Sequence, residues 1–501
     1  MVAKSCMTFE EALDLTGFGK FNFLAMLVNM TLITGMAFEI MSVAYLVPAS
    51  ACELDTTVFQ QGLMAGMPLL GIIATSHFWG YLADTRGRRK ILSLCMVLAF
   101  VTGGATALSP NWIVFSVLKF LSSSAVAGTY ALAVTLLSEC TPQSKRSVLV
   151  ALTSTIYLTS TGVMAVLSIP ILQLSFAYDI PFLGISFTPW RLLNIIFSLA
   201  CAVGAIGVYL SYESPRYLLR VGDEDKALEV LKGFFVINTG KSADEYNVGS
   251  LVLGEETGKI TKGLWSSIVS QTIPLLKPPL LKNTIILSIL FIIVYVGLNP
   301  FVVWLPFIAD GVMKSIENGD DDLTFCQMLN SHQTAQNTTA VEVNDCSLNK
   351  FAMVTVFVIS IMIASFNVVL SSIINYVGRK QMLMGIQLVA GVAGICVGVS
   401  DSWIASTVAL IIFITGMLNF GMLSTFSVDI FPTYVKAMAV CVTLMLGRGS
   451  SVIGINILKN MLVNDCELAF YSFGGLTFAG GLIAFFLPGE TKFKKADPSE
   501  S

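Results

Sequence analysis

Three charged residues stand inside long apolar runs: Glu39, Lys119 and Arg448. A charge held in hydrocarbon costs several kcal/mol unless it is paired or reaches water, so each marks an ion pair or a polar cavity. Glu39 falls on a line with Thr31, Gly35 and Ser42 at helical spacing, a small and polar stripe that suits a cavity better than lipid. Lys119 is followed by Ser122, Ser123 and Ser124, and Arg448 is flanked by Gly447 and Gly449. Two readings are open. Either Glu39 pairs with Lys119 or Arg448 only to hold helices together, or these residues line a substrate and coupling cavity in which the Glu39 carboxyl titrates. Asn299 joins the cavity set because Pro300 beside it frees a helix carbonyl for polar neighbours. Tyr130, Tyr157, Tyr295, Trp304, Asn367, Gln387 and Asn419 are weaker candidates, since interfacial belts and interhelical hydrogen bonds account for most such residues. His77 reads as a packed residue, and His332 has no metal-ligand spacing around it. With no hydrolase triad, zinc cluster or phosphate loop, neither enzymatic chemistry nor a cofactor or metal is expected.

A second chemical set sits where apolar runs end. The turn Gly80-Tyr81-Leu82-Ala83-Asp84-Thr85-Arg86-Gly87-Arg88-Arg89-Lys90 has a degraded echo in Ser371 to Lys380, where Asn375 takes the place of the acid and Gly378 and Arg379 remain. Asp84 can face a helix N-terminus, and Arg88 and Arg89 can pair with Glu139 and Glu213. Gly80 and Gly87 permit close packing and a tight turn. Together with Arg146, Arg216 and Asp429 these residues are expected to form a gate at the inner membrane face, weaker in the second half.

The elements that position these groups are membrane helices. Hydrophobic residues make up 55% of the 501 residues and charged ones 12%, with a mean hydropathy of +0.78. That excludes an ordinary soluble domain, and no basic arm suited to nucleic acid appears. A span needs roughly 20 apolar residues. Runs of that kind fall near Phe21 to Leu46, Phe59 to Gly80, Ile91 to Leu108, Trp112 to Leu137, Val148 to Leu172 and Leu192 to Tyr212. A second series falls near Leu280 to Phe307, Phe351 to Tyr376, Met382 to Val399, Ile404 to Val428, Ala437 to Leu458 and Leu468 to Leu487. The fold class is therefore an all-α membrane protein with twelve transmembrane helices in two six-helix halves, residues 21–212 and 280–487. Residues 1–20, 213–279 and 488–501 form the N-tail, the linker and the C-tail.

Lys and Arg concentrate in the tails, the linker and alternate turns, while the opposite loops are read as holding only Lys314, Lys350 and Lys459. This bias puts both termini in the cytoplasm. The acidic loop 310–350 then lies outside, with a glycosylation sequon at Asn337 and a plausible disulfide between Cys326 and Cys346. Cys52 and Cys466 form another conceivable pair, should their loops meet.

More punctuation follows in order. Glu139-Cys140-Thr141-Pro142-Gln143-Ser144-Lys145-Arg146 is repeated as Asp429-Ile430-Phe431-Pro432-Thr433-Tyr434-Val435-Lys436, and Glu213-Ser214-Pro215-Arg216 follows the sixth run. These pieces resemble the signatures of the major facilitator superfamily. Gly17-Phe18-Gly19-Lys20-Phe21, Glu39, Val47-Pro48-Ala49-Ser50 and the sequon-bearing loop resemble synaptic vesicle glycoprotein 2 and its relatives, near the organic-ion and sugar porters. Lys119 departs from that pattern by standing where an arginine is usual, and the external loop is short. The resemblance implies that the first, fourth, seventh and tenth helices line a central cavity, and that the charge near Arg448 follows the sign of the substrate. The expected function is a secondary transporter of a small organic solute, anionic or zwitterionic, working as a monomer by alternating access with proton coupling through Glu39. The competing reading is a non-transporting vesicle-type protein that binds ligands or partners. A plasma or secretory-type vesicle membrane fits both, and a channel does not, because no ring of equivalent pore residues is present.

Overall fold

A computed structural model of the chain describes residues 5–252, 272–319, 322–330, 348–431 and 436–487. Among these, twelve helices are long and apolar enough to cross a bilayer. Numbered as spans in chain order they are Lys20–Ser50, Val58–Arg86, Arg88–Leu108, Trp112–Glu139, Gln143–Leu172, Pro189–Leu210, Leu281–Glu317, Lys350–Leu370, Arg379–Val399, Trp403–Ser424, Met438–Asn464 and Cys466–Phe486. Spans 1 to 6 pack as one bundle and spans 7 to 12 as the other. One end of the molecule carries Arg88, Arg146 and Lys380 and is the basic face; the other carries a disulfide and is the disulfide face.

Two spans outrun their expected ends. Span 7 continues through Pro300 and Pro306 to Glu317, a helix of 37 residues and so roughly 55 Å at about 1.5 Å per residue. A proline inside a span is tolerated where a neighbouring helix closes over the freed carbonyl, and Gly454 of span 11 packs closely on Pro300, where a Cβ would stand 3.1 Å from the proline ring. Span 11 runs to Asn464, which draws Lys459 into the helix, where it is 3% exposed instead of lying in a loop. Arg191, buried at the start of span 6, is a further basic residue toward the disulfide face that the Lys/Arg tally left out. Its guanidinium pairs with Glu53 at 2.6 Å and donates to the carbonyls of Ala107 and Ser109.

The expected disulfide is corrected. Cys326 bonds Cys466, the first residue of span 12, across a Cα separation of 5.6 Å. A short helix after span 7 carries Cys326 onto the start of span 12, within the reach a disulfide requires. Cys326 is therefore not paired with Cys346, and since Cys466 is taken, the Cys52–Cys466 alternative is excluded; Cys52 is itself disulfide-bonded. Cys346, Asn337 and the side chains of Asp429 and Asn375 lie outside the described residues.

The halves meet closely toward the disulfide face. Gly62 and Gly66 of span 2 lie against Asn456 and Val452 of span 11, so near that a Cβ on Gly62 would fall 2.6 Å from the Asn456 amide. Asn456 donates to the Phe59 carbonyl at 3.2 Å. Between spans 5 and 8, Thr161 and Ser360 hydroxyls are 3.1 Å apart.

On the basic face the linker and N-tail dock on the first half. Ser5–Thr8 pairs in parallel with Val248–Val252. Thr8 caps the helix Phe9–Leu15 with Glu11 in a reciprocal box. The linker helix Glu224–Thr239 lays Phe234 on Phe21 with ring centroids 3.8 Å apart. Asn238 at its end donates to the carbonyls of Thr16 and Gly17 and accepts from the Phe21 amide.

Candidate functional site

The intramembrane charges divide between two environments. Lys119 Nζ lies 3.3 Å from Glu39 Oε2, with both side chains wholly buried. Glu39 Oε1 accepts from Ser198 of span 6 at 2.8 Å. Gly103 of span 3 makes the space, since a Cβ there would fall 2.6 Å from the carboxyl carbon. The pair thus ties spans 1, 3, 4 and 6 together inside the first bundle. The expectation that Glu39 and Lys119 line one cavity with Arg448 is not met. The polar stripe of span 1 faces span 6, where Gly35 leaves room for the backbone at Cys201. Small residues on one helix face allow a close neighbour as readily as a cavity.

Arg448 is different. It sits mid-way along span 11, partly exposed at membrane depth, with its side chain within electrostatic reach of Tyr295 of span 7. Gly447 gives Tyr295 its place, as a Cβ there would come within 2.5 Å of the ring. Tyr157 of span 5 lies within electrostatic reach of both. Its ring is 6.3 Å from that of Tyr130 in span 4, whose hydroxyl meets Ser154 at 2.9 Å. Both halves therefore contribute to one cationic, tyrosine-rich cluster, and no carboxylate pairs with Arg448 among the described residues. Asn299 is not part of its surface: 4% exposed, it donates to Ser451 at 2.8 Å between spans 7 and 11. The tyrosines were visible in the sequence as mid-span residues with an apolar body and a polar tip, but only the fold selects them over Asn299.

The basic turn of the first half is a mesh. The Arg88 guanidinium, 4% exposed, lies 3.4 Å from Asp84 and 3.3 Å from Glu139. Glu139 also accepts from the Ser214 hydroxyl, and Arg220 reaches Asp84 at 3.8 Å. Glu213 receives the backbone amides of Arg89 and Ser214, each at 3.0 Å, while the Arg89 side chain donates to the carbonyls of Val208 and Tyr209. Gly87 has φ +99°, and a Cβ there would lie 2.6 Å from Glu213 Oε2, so both conformation and space call for glycine. Gly80 has nothing within 4 Å of its missing Cβ, so it serves no close packing. Burial and the Glu213 charge push the Tyr217 hydroxyl up from its ordinary range, with Arg88 opposing. Arg146 grips Glu10 of the N-tail through both terminal nitrogens at 3.2 and 2.6 Å. The partners named in this mesh come from the first half, the N-tail and the start of the linker.

In the second half, Gly378 repeats the positive φ at +88° and Arg379 opens span 9. Lys380 then donates to the carbonyls of Phe485 and Leu487 at 2.7 and 2.6 Å. Arg216 lies in the short helix Pro215–Val221 that follows span 6.

A family model described as Major Facilitator Superfamily matches residues 25–317. The synaptic vesicle 2-related protein of Xenopus laevis is 28% identical over 258 residues, covering 50% of this chain and 43% of that protein. The D-xylose transporter of Levilactobacillus brevis is 27% identical over 222 residues, 44% of this chain and 45% of that one. The chain spans about half the length of the curated relatives it matches. In fold it is similar to the inward-open xylose transporter XylE from E. coli, with a TM-score of 0.67 at 14% identity, over 94% of this chain and 97% of that one.

Proposed function

The chain belongs to the major facilitator superfamily, and on that premise we propose that it is a secondary transporter that moves a small organic anion or zwitterion by alternating access of its two halves. One observation carries the choice of solute: Arg448 stands partly exposed at mid-membrane beside Tyr295, with no carboxylate pairing it among the described residues. A guanidinium in low dielectric gains most from a carboxylate or phosphate that presents two oxygens. The tyrosines of spans 4, 5 and 7 supply apolar walls with polar tips for the body of the solute. Because Tyr130 and Tyr157 come from one half and Tyr295 and Arg448 from the other, a bound solute is held by both halves and its release follows their separation.

Glu39 enters this reading as a coupling element away from the solute. Protonating its carboxyl would release Lys119 and loosen span 1 from span 4, a change that could bias the two access states. The excess of Lys and Arg on the basic face supports a cytoplasmic placement of that face, and glycan at Asn337 on the other side is testable by enzymatic deglycosylation of parent and Asn337→Gln. The basic mesh is proposed as the inner brace that must re-form in each transport cycle.

Proteoliposome uptake of organic monocarboxylates, zwitterions and neutral sugars tests the function. Saturable anion flux that Arg448→Ala reduces at least tenfold, with folded yield kept, is the expected result. Sugar flux indifferent to Arg448 would overturn the anionic assignment, and ligand binding without any flux would favour a receptor over a transporter.

A further inference from the structure

Lys459 is a buried cation that the proposed transport site does not use. Its side chain is 3% exposed, and its ammonium lies 4.7 Å from the ring centroid of Trp304 and 3.0 Å from that of Phe307. No carboxylate pairs with it among the described residues. The acid one turn beyond Phe307, Asp310, is committed to Lys314 at 2.9 Å and to the Asn349 amide at 2.5 Å. Trp304 spends its own N–H on the Ile455 carbonyl at 3.0 Å, so it offers Lys459 only a ring face. Aromatic faces offset part of the cost of burying an ammonium, and the several kcal/mol that remain are relieved when an anion pairs with it or when it gives up its proton, so an anion seated beside it favours the charged form.

Position gives this cation a role. Arg448 and Lys459 stand eleven residues apart in span 11, about three helical turns and roughly 16 Å, and so point in nearly the same direction. Between them on that face lie Val452 and Asn456, which pack against Gly66 and Gly62 of span 2 at the seam between halves. A solute leaving Arg448 toward the disulfide face would cross that seam and meet Lys459 next.

We propose that Lys459, walled by Trp304 and Phe307, is an outer binding station for a small monovalent anion, of the organic carboxylate class and separate from Arg448. The identity of the natural ligand rests on the anionic-solute reading above; the existence of the station does not. An anion seated there would lie against the Lys459 ammonium beside the Trp304 indole, within contact-quenching range of its fluorescence.

The full chain in lipid nanodiscs provides the test, with iodide as the probe and benzoate as competitor. In the parent, tryptophan quenching by iodide should contain a saturable component that benzoate displaces. Lys459→Arg should keep it, and Lys459→Gln should weaken its half-saturation at least tenfold. Lys459→Met, which preserves packing volume, should lose it in the same way, so that poor folding of one variant does not decide the matter. Arg448→Gln should retain it, since the two stations are separate. Unchanged saturable quenching in Lys459→Met, or its loss in Arg448→Gln, would overturn the proposal. Failure of anion uptake to depend on Arg448 would instead count against the transport reading and leave the iodide result standing.

Discussion

Between spans 2 and 3, and again between spans 8 and 9, the chain turns through a glycine at positive φ, +99° at Gly87 and +88° at Gly378, and delivers basic residues, Arg88, Arg89 and Lys90 in the first and Arg379 and Lys380 in the second. In the first turn Arg88 is sunk among carboxylates and Arg89 fills carbonyls, with Glu213 receiving the turn's own amide. In the second, Lys380 holds the last carbonyls of span 12 and stands 5.3 Å over the Phe485 ring. The shared part is a backbone device for reversing direction at the membrane surface. The ionic mesh around Arg88 is an addition to it in the first turn. Charges buried together depend on one another, so the first turn should fail as a unit, whereas Lys380 can be lost with only its own bonds.

Removing Glu139 tests this most severely. Glu139→Ala strips the 4% exposed Arg88 of its buried partner, and should cost about 3 to 5 kcal/mol of stability, against about 1 kcal/mol for Lys380→Ala. Thermal unfolding in detergent measures both, and equal shifts would erase the distinction between the turns. Gly87→Ala comes next, losing about 2 kcal/mol or more through positive φ combined with contact on Glu213, while Gly378→Ala at a similar φ serves as the reference for conformation alone. Should the two alanines behave alike, the Glu213 contact contributes nothing. Asp84→Ala is smaller in stability, at most about 1 kcal/mol because the carboxylate is 53% exposed. Its expected signature is slower solute uptake at unchanged yield, and unaltered uptake with unaltered cysteine labelling on each face would dismiss Asp84 from gating. The least effect belongs to Tyr217, whose hydroxyl is pushed up by burial and by Glu213. A raised folded value means that its contribution is complete below the ordinary tyrosine range and fades as pH rises through the folded value. Tyr217→Phe should therefore flatten the alkaline limb of a stability profile above about pH 10, and an unchanged limb would show that the hydroxyl does not report on this turn.

The spans were legible because twelve apolar runs interrupted by basic turns leave few alternatives. The mesh was legible in part: Arg88 meets Glu139 as its spacing suggested, but Glu213 holds backbone amides and not the Arg89 guanidinium. Which face of span 1 carries Glu39 could be read, yet not what covers that face, because a stripe of Thr31, Gly35 and Ser42 admits a packed helix as well as water. Lys459 was misplaced because helix ends are the least certain feature of a sequence reading. The Cys326–Cys466 bond, 140 residues apart in sequence, depends on where a loop helix lands and has no local signature.

The parallel pairing of Ser5–Thr8 with Val248–Val252 has a consequence in the order of synthesis. The first strand is made before span 1, yet its partner is made only after all six spans of the first half. The tail must wait for the linker, and docks on the first half with Glu10 on Arg146 and Asn238 on Thr16 and Gly17. Domains fold largely as units from the N-terminus during translation, so the first bundle and its docked tail are expected to form ahead of spans 7 to 12.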